Sequence, residues 1–445
     1  MIKAFSSRCG ILGLVATALT SGLAGASASP QTELVSVPWN GSWIDGNTSY
    51  GALSSNGRYA IFASPARNVV RSHRSGIFLR DRRKRTTSLL LARSGAILRM
   101  TPDARVIVFC TSEPLSPRDG PVTSADGARY GDVYVYERRN RKIIWASTRF
   151  RNGRSPTPEP ACDGQGEHAS LGTPGISADG RLVVFSSRAS NLVRGDTNRT
   201  WDVFVRDLVA RRTLRVSLTS GGRQLHGTTG HPTISANGRY VFFCSNDPRL
   251  VGRGLGILVR DLRARTTRLV TTLRNGRSLA PFVNCSADLA VSADGRFLAF
   301  ETTSADLVQP PPEHGQLVVK DLKTRSFDFV TRGIDGQPAD ASPFWVEMSH
   351  NGRYVAFSSF AGNLVPGDTN NQMDVFWFDR VRRTLRRVNI RADGRESART
   401  IPALALSGDG RWVLWNSSDP DVIPGEPNRW PREETFDDFI RGPLH

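Results

Sequence analysis

Along most of the chain, apolar and polar residues alternate in short runs, and a turn signal closes each run. A period of two predicts half-buried β-strands, because successive side chains of a strand point to opposite faces. The clearest run is Ile176-Ser-Ala-Asp-Gly-Arg-Leu-Val-Val-Phe185. Its Asp179-Gly180 pair suits the positive φ of a tight hairpin, so the residues before it form one strand and Arg181–Ser186 the next. After a loop, Asp202-Val-Phe-Val-Arg-Asp207 alternates as a third strand, and a polar turn leads to a fourth, Thr213-Leu-Arg-Val-Ser217.

This unit repeats. Copies of the hairpin occupy Leu53–Phe62, Ile234–Phe243, Val291–Phe300, Met348–Phe357 and Leu406–Trp415, and Met100–Phe109 is a degenerate copy with Ala104 in the glycine position. That position falls at 57, 104, 180, 238, 295, 352 and 410, a period near 57 residues. One long interval holds two insertions, near Ser116–Gly131 and Thr157–Ser170. The third strand recurs at Gly76–Asp81, Asp132–Glu137, Gly256–Asp261, Gln316–Asp321, Asp374–Asp379 and Asp437–Gly442. Four antiparallel strands per period predict an all-β protein, a propeller of seven four-stranded blades. The aspartate that closes most third strands is read as a turn cap acting through backbone hydrogen bonds. The seventh copy has only three strands, while Glu33-Leu-Val-Ser-Val37 matches the outer-strand sequence Leu214-Arg-Val-Ser217. Pairing this N-terminal strand with the last repeat closes the ring and removes an open sheet edge.

The Ser-Ala-Asp-Gly-Arg and Asp-Val-Phe-Val-Arg-Asp segments resemble the Trp-Asp-like repeats of TolB-type propellers. The loop Asn363-Leu-Val-Pro-Gly-Asp-Thr-Asn370 is similar to that of exported propellers from high-GC bacteria. The resemblance covers Glu33–Arg441. It implies a propeller fold and a binding role, and it implies no reaction.

The N-terminus reads as a targeting segment. Lys3 and Arg8 precede an apolar stretch, Ile11–Ala26, and Ala26-Ser27-Ala28 is a small-residue cleavage pattern. Residues 1–28 are therefore expected to be a signal peptide, and 29–445 a single propeller domain, secreted or periplasmic. A membrane anchor is disfavoured by the shortness of the stretch and its Thr17, Thr20 and Ser21. No other stretch suits a membrane span. Export leaves four cysteines, Cys110, Cys162, Cys244 and Cys285, in a compartment that permits two bridges. Three connectivities are open. Cys110 and Cys244 both follow a second-strand Phe, and Cys162 and Cys285 each precede the next inner strand, so one geometry suits both Cys110–Cys162 and Cys244–Cys285. Four buried thiols are the alternative.

The formal charge is +18, or +16 once Lys3 and Arg8 are removed. Only five of the 59 basic residues are lysine. The bias fits a GC-rich coding sequence; its functional reading is attraction to an anionic polymer or membrane surface. Arginines recur at third-to-fourth-strand turns, as in Arg211-Arg212 and Arg382-Arg383, without forming the aromatic-interleaved stripe that binds nucleic acid.

Candidate sites are few. Asp196, Asn198 and Asp202, and likewise Asp368, Asn370 and Asp374, gather oxygen ligands of the kind calcium takes, although Asx turns account for the same pattern. No other cofactor is expected. There is no paired-Cys or paired-His spacing for zinc, no nucleophile elbow, no H-E-x-x-H and no Walker loop. Loops entering the inner strands meet at the channel mouth, which makes Glu167, His168, His231, Asp340 and Trp345 the ligand-binding candidates. The histidines are scattered, but a converging set such as His168, His226 and His231 is one arrangement that would allow catalysis there. The leading reading is an exported, monomeric, non-enzymatic scaffold that binds a protein or an anionic envelope polymer. The alternative is a secreted carbohydrate-active enzyme with its site at the channel mouth. Converging carboxylates or histidines would favour the enzyme, and an exposed apolar patch on one face the scaffold.

Overall fold

A computed structural model describes residues 30–42, 44–93, 96–116, 131–148, 150, 172–280, 282–285, 289–397, 400–419, 421–423 and 436–444. The expected signal peptide lies outside them. Seven antiparallel sheets follow one another along the chain as the blades of a propeller. Their inner strands, for blades 1 to 7, are Ser49–Leu53, Ala96–Met100, Gly175–Ile176, Thr229–Ile234, the split strand Val283–Asn284 with Ala290–Val291, Pro343–Met348 and Thr400–Leu406. Blade 6 shows the full pattern: Pro343–Met348, Tyr354–Ser359, Asp374–Asp379 and Thr384–Arg387, paired in that order. Among the described residues the one helix is a single turn, Pro248–Val251.

Seven hydrophobic clusters fill the seven blade–blade interfaces. Leu317 and Val319 of blade 5, for instance, meet Phe357 and Phe376 of blade 6. Each blade thus buries both faces of its sheet, and none is stable alone. The hairpin glycine serves this packing. Gly352 has φ +68°, and a Cβ there would lie 2.3 Å from Phe297 of the preceding blade. Blade 2 tolerates Ala104 at φ 57°, fully buried.

The closing aspartate does cap its turn. Asp379 Oδ1 accepts from the N–H groups of Val381 and Arg382 at 3.0 and 3.2 Å. It also holds the hairpin arginine, with Arg353 donating at 2.9 and 2.7 Å. The same arginine–aspartate pair forms in blades 1, 3, 4 and 5.

The ring closes through the N-terminal strand. Gln31–Leu34 pairs with Asp437–Gly442, from Gln31 opposite Gly442 to Leu34 opposite Phe439. The strand begins two residues earlier than Glu33 and stops at Leu34, because Val37 turns back to donate to the Val35 carbonyl at 2.9 Å. Ser36 takes the place that Ser217 holds in blade 3. Its hydroxyl donates to Asp437 at 2.6 Å and accepts from Asp438 N at 3.1 Å, as Ser217 does with Asp202 and Val203.

Cys244 and Cys285 form a disulfide between the second strand of blade 4 and the residue that follows Val283–Asn284 in blade 5, with Cα atoms 6.5 Å apart. Cys110 is disulfide-bonded too. Cys162 lies outside the described residues.

Candidate functional site

Antiparallel order sorts the connections onto two faces. The hairpin turns and the third-to-outer-strand turns lie together at one end, here the turn face. The second-to-third-strand loops and the passages to the next inner strand lie at the other, the loop face. The inner strands line an axial channel between them.

These strands are not regular. Register shifts interrupt them between Ser49 and Ala52, Ala96 and Arg99, Gly230 and Thr233, Phe344 and Glu347, and Ile401 and Leu404. A bulge re-aims side chains next to a site. His231 (φ 50°) and Trp345 (φ 40°) sit at equivalent left-handed positions of these bulges.

Two residues before the turn, each repeat places one residue at the channel. Five are small: Ala52, Gly175, Thr233, Ala290 and Ala405. The other two are Arg99 and Glu347, from blades 2 and 6, and they meet with Nη2 to Oε1 at 3.2 Å. Small neighbours leave room for these long side chains to cross. Arg99 also donates to Thr173 Oγ1 at 3.2 Å. The ion pair divides the channel. A cavity of about 100 Å³ on the loop-face side is lined by Thr173, His231 and Leu289, and one of about 180 Å³ on the turn-face side by Ser55, Ala236 and His350.

Backbone hydrogen bonds narrow the turn-face end. Ser55 N donates to Pro102 O, Ala178 N to Ala236 O, Ala293 N to His350 O, His350 N to Gly408 O and Asp409 N to Ser55 O, at 2.7–2.9 Å. Pro102 has no N–H with which to extend this girdle to blade 3. The His350 ring lies over Gly408, where a Cβ would be 2.4 Å away, and its Nδ1 is 3.4 Å from Ser55 Oγ. Burial holds the His350 pKa below the ordinary value.

Of the expected ligand-binding residues, His231 reaches the channel beside Arg99 and Glu347. Trp345 packs against the blade 6–blade 7 core. Asp340 is exposed on the loop face, where its N–H donates to Asn363 Oδ1 at 3.3 Å. Glu167 and His168 lie outside the described residues. Sequence reasoning passed over Arg99 and Glu347. Alignment of the repeats carries their signal, since opposite charges stand at one position that is otherwise small.

The two acidic loops share one design. In blade 6, Asp368, Asp374 and Glu396 form the one cluster of three such groups among the described residues. Arg387 Nη1 lies among them, at 3.4, 2.9 and 2.8 Å. In blade 3, Arg215 Nη1 lies 3.2 Å from Asp196 and 3.4 Å from Asp202. An arginine therefore stands where the calcium reading puts the cation. Asn198 donates to Asp202 at 3.0 Å and Asn370 to Ser397 O at 3.2 Å, so both asparagines brace their loops. Burial raises the pKa of Asp368, Asp374 and Asp202.

The chain is a seven-bladed β-propeller. No family model matches it, and no curated protein is similar to it in sequence. Among solved structures it is similar to an oligogalacturonate lyase from Vibrio parahaemolyticus, at 12% identity over 93% of this chain and 97% of that one, with a TM-score of 0.53. It is equally similar, by TM-score and identity, to an oligogalacturonate lyase in complex with manganese, over 93% and 96% of the two chains. TolB from Acinetobacter baumannii aligns at 16% identity over 77% of this chain and 63% of that one, with a TM-score of 0.40. At such identities the likeness is one of fold. The manganese belongs to that lyase. Here the one carboxylate among the described channel-lining residues, Glu347, faces Arg99.

Proposed function

We propose that the protein is an exported, non-enzymatic binding scaffold whose loop face receives a protein partner in the envelope or outside the cell. One observation carries this reading. Of the ten large apolar side chains exposed among the described residues, seven lie on the loop face: Trp39, Phe150, Leu255, Phe282, Ile334, Phe344 and Phe360. Phe344 and Phe360 meet edge to face at 6.1 Å, and Ile334 is tied to the same blade through its N–H to Asn363 O. Arg71 lies over Trp39, and Arg194 over Phe150, at 5.2 and 5.0 Å. Aromatic side chains and arginine are the residues that anchor protein interfaces. Export is supported by the leader-like N-terminus and by the Cys244–Cys285 disulfide. Among the described residues no helix is long and apolar enough to cross a membrane.

The test uses the mature chain, from Ser29, as bait in envelope extracts, beside a Phe344→Ala/Phe360→Ala variant. Loss of a specific protein partner by at least about tenfold in the variant supports the reading. Retention of an acidic polymer instead of a protein, equal retention by both chains, or turnover of a polysaccharide overturns it.

A further inference from the structure

The turn face carries a second pattern, independent of the loop face. Six turns join a third strand to an outer strand, and the residue with left-handed backbone in each is an arginine: Arg85, Arg141, Arg211, Arg265, Arg325 and Arg383, at φ 53–61°. Glycine or asparagine is the ordinary occupant of such a position, because a Cβ crowds the carbonyl there. A coding bias toward arginine supplies glycine as readily, so composition does not explain six out of six. The common property of the six residues is charge.

That charge is not neutralised within the fold. All six side chains are exposed, and none forms an ion pair among the described residues. The aspartates nearest to them, at the third-strand ends, are engaged by the hairpin arginines in blades 1, 3, 4, 5 and 6. Exposed cations flank the six, among them Arg83, Lys84, Arg139, Arg212 and Arg382. Two of these turns also carry the most exposed large apolar side chains of the described residues, Val209 (74%) and Val381 (71%), each two residues before its left-handed arginine.

We propose that the turn face docks on an anionic lipid bilayer, leaving the loop face turned outward to its partner. The arrangement distinguishes a surface from a thread. Cations spread over turns of six of the seven blades engage a planar anionic surface together, whereas a linear polyanion crossing the face meets only some of them. Exposed valines in the same turns as these arginines suit the boundary between headgroups and acyl chains. Basic residues near an anionic bilayer act additively, and salt screens them within a Debye length.

The test is co-sedimentation of the mature chain with vesicles of phosphatidylcholine, with and without phosphatidylglycerol, at low and high salt. Its variant replaces all six residues: Arg85→Gly, Arg141→Gly, Arg211→Gly, Arg265→Gly, Arg325→Gly and Arg383→Gly. Glycine is the residue this backbone prefers, so circular dichroism and melting should show the variant fully folded. The expected result is salt-sensitive binding to phosphatidylglycerol vesicles that the variant loses by at least about tenfold. Equal binding by the variant overturns the proposal. So does a wild-type chain that ignores the vesicles, whether it binds nothing or binds only a soluble polyanion such as dextran sulfate. Loop-face capture of a protein is a separate readout, so either proposal can fail alone.

Discussion

At Gly352 the backbone holds φ +68°, and Phe297 occupies the space a side chain would need. Gly352→Ala must therefore strain the turn and push apart two blades. A loss of about 2–3 kcal/mol is expected from thermal or denaturant unfolding. At Arg387 the issue is charge. One guanidinium pairs with Asp368, Asp374 and Glu396 together, so Arg387→Gln leaves half-buried and buried carboxylates without their cation, and a loss of about 3 kcal/mol is expected. Calcium should leave the melting temperature of the natural chain unchanged, since an arginine already stands among these acids; a rise on adding calcium would contradict this. These residues mark what the sequence shows and what it hides. Asp368 and Asp374 stand close in the chain, so the acidic cluster is visible there. Arg387 and Glu396 arrive from the outer strand and the passage beyond it. Pairing across strands is set by register, which a linear reading of oxygen-bearing side chains does not include.

The element with the most unusual chemistry is the closing sheet of blade 7. At the place of Asp438 other blades put Val133, Val203, Ile257 and Val375, yet Asp438 is fully buried. Asn416 donates to its Oδ1 at 2.5 Å, and Asp437 adjoins it. Burial, reinforced by the charge of Asp437, pushes the Asp438 pKa up to about 8, and burial pushes Asp437 up to about 7. In the unfolded chain both return to the ordinary value near 4. Between these limits the unfolded chain releases protons that the closed sheet retains, so stability falls as pH rises from about 4 and levels above about 8. The melting temperature should thus be higher at about pH 5 than at about pH 8.5 at fixed ionic strength. Asp438→Asn should shrink that difference. An unchanged difference in the variant would place the pH dependence elsewhere. Ring closure itself was legible, because Ser36 in Leu-Val-Ser repeats the outer-strand pattern that ends at Ser217. The third-strand ranges were legible for the same reason: most start on Asp or Gly and end on Asp. The split inner strand of blade 5 was not, since Ala290-Val291 matches its repeat while the interruption before it leaves no periodic mark.

On the scale of the whole molecule, the two faces differ. Antiparallel order collects six turn arginines on one face and seven large apolar side chains on the other. In the linear sequence both sets are scattered, and the arginines read as charges spread around a ring. Only the strand directions reveal that they share a face. The channel between carries an ion pair, Arg99–Glu347, with small residues around it. Arg99→Ala should leave Glu347 without its partner from blade 2. That change should lower the melting temperature while leaving partner capture intact, because the capture surface lies on the loops. The most direct test of the scaffold reading is hydrogen–deuterium exchange of the mature chain, alone and with its captured partner. New protection confined to the loop-face segments around Trp39, Phe282, Ile334, Phe344 and Phe360 is the expected result. Protection centred on the inner strands around Arg99 and Glu347, with the loop face unchanged, would contradict it and place the functional site in the channel.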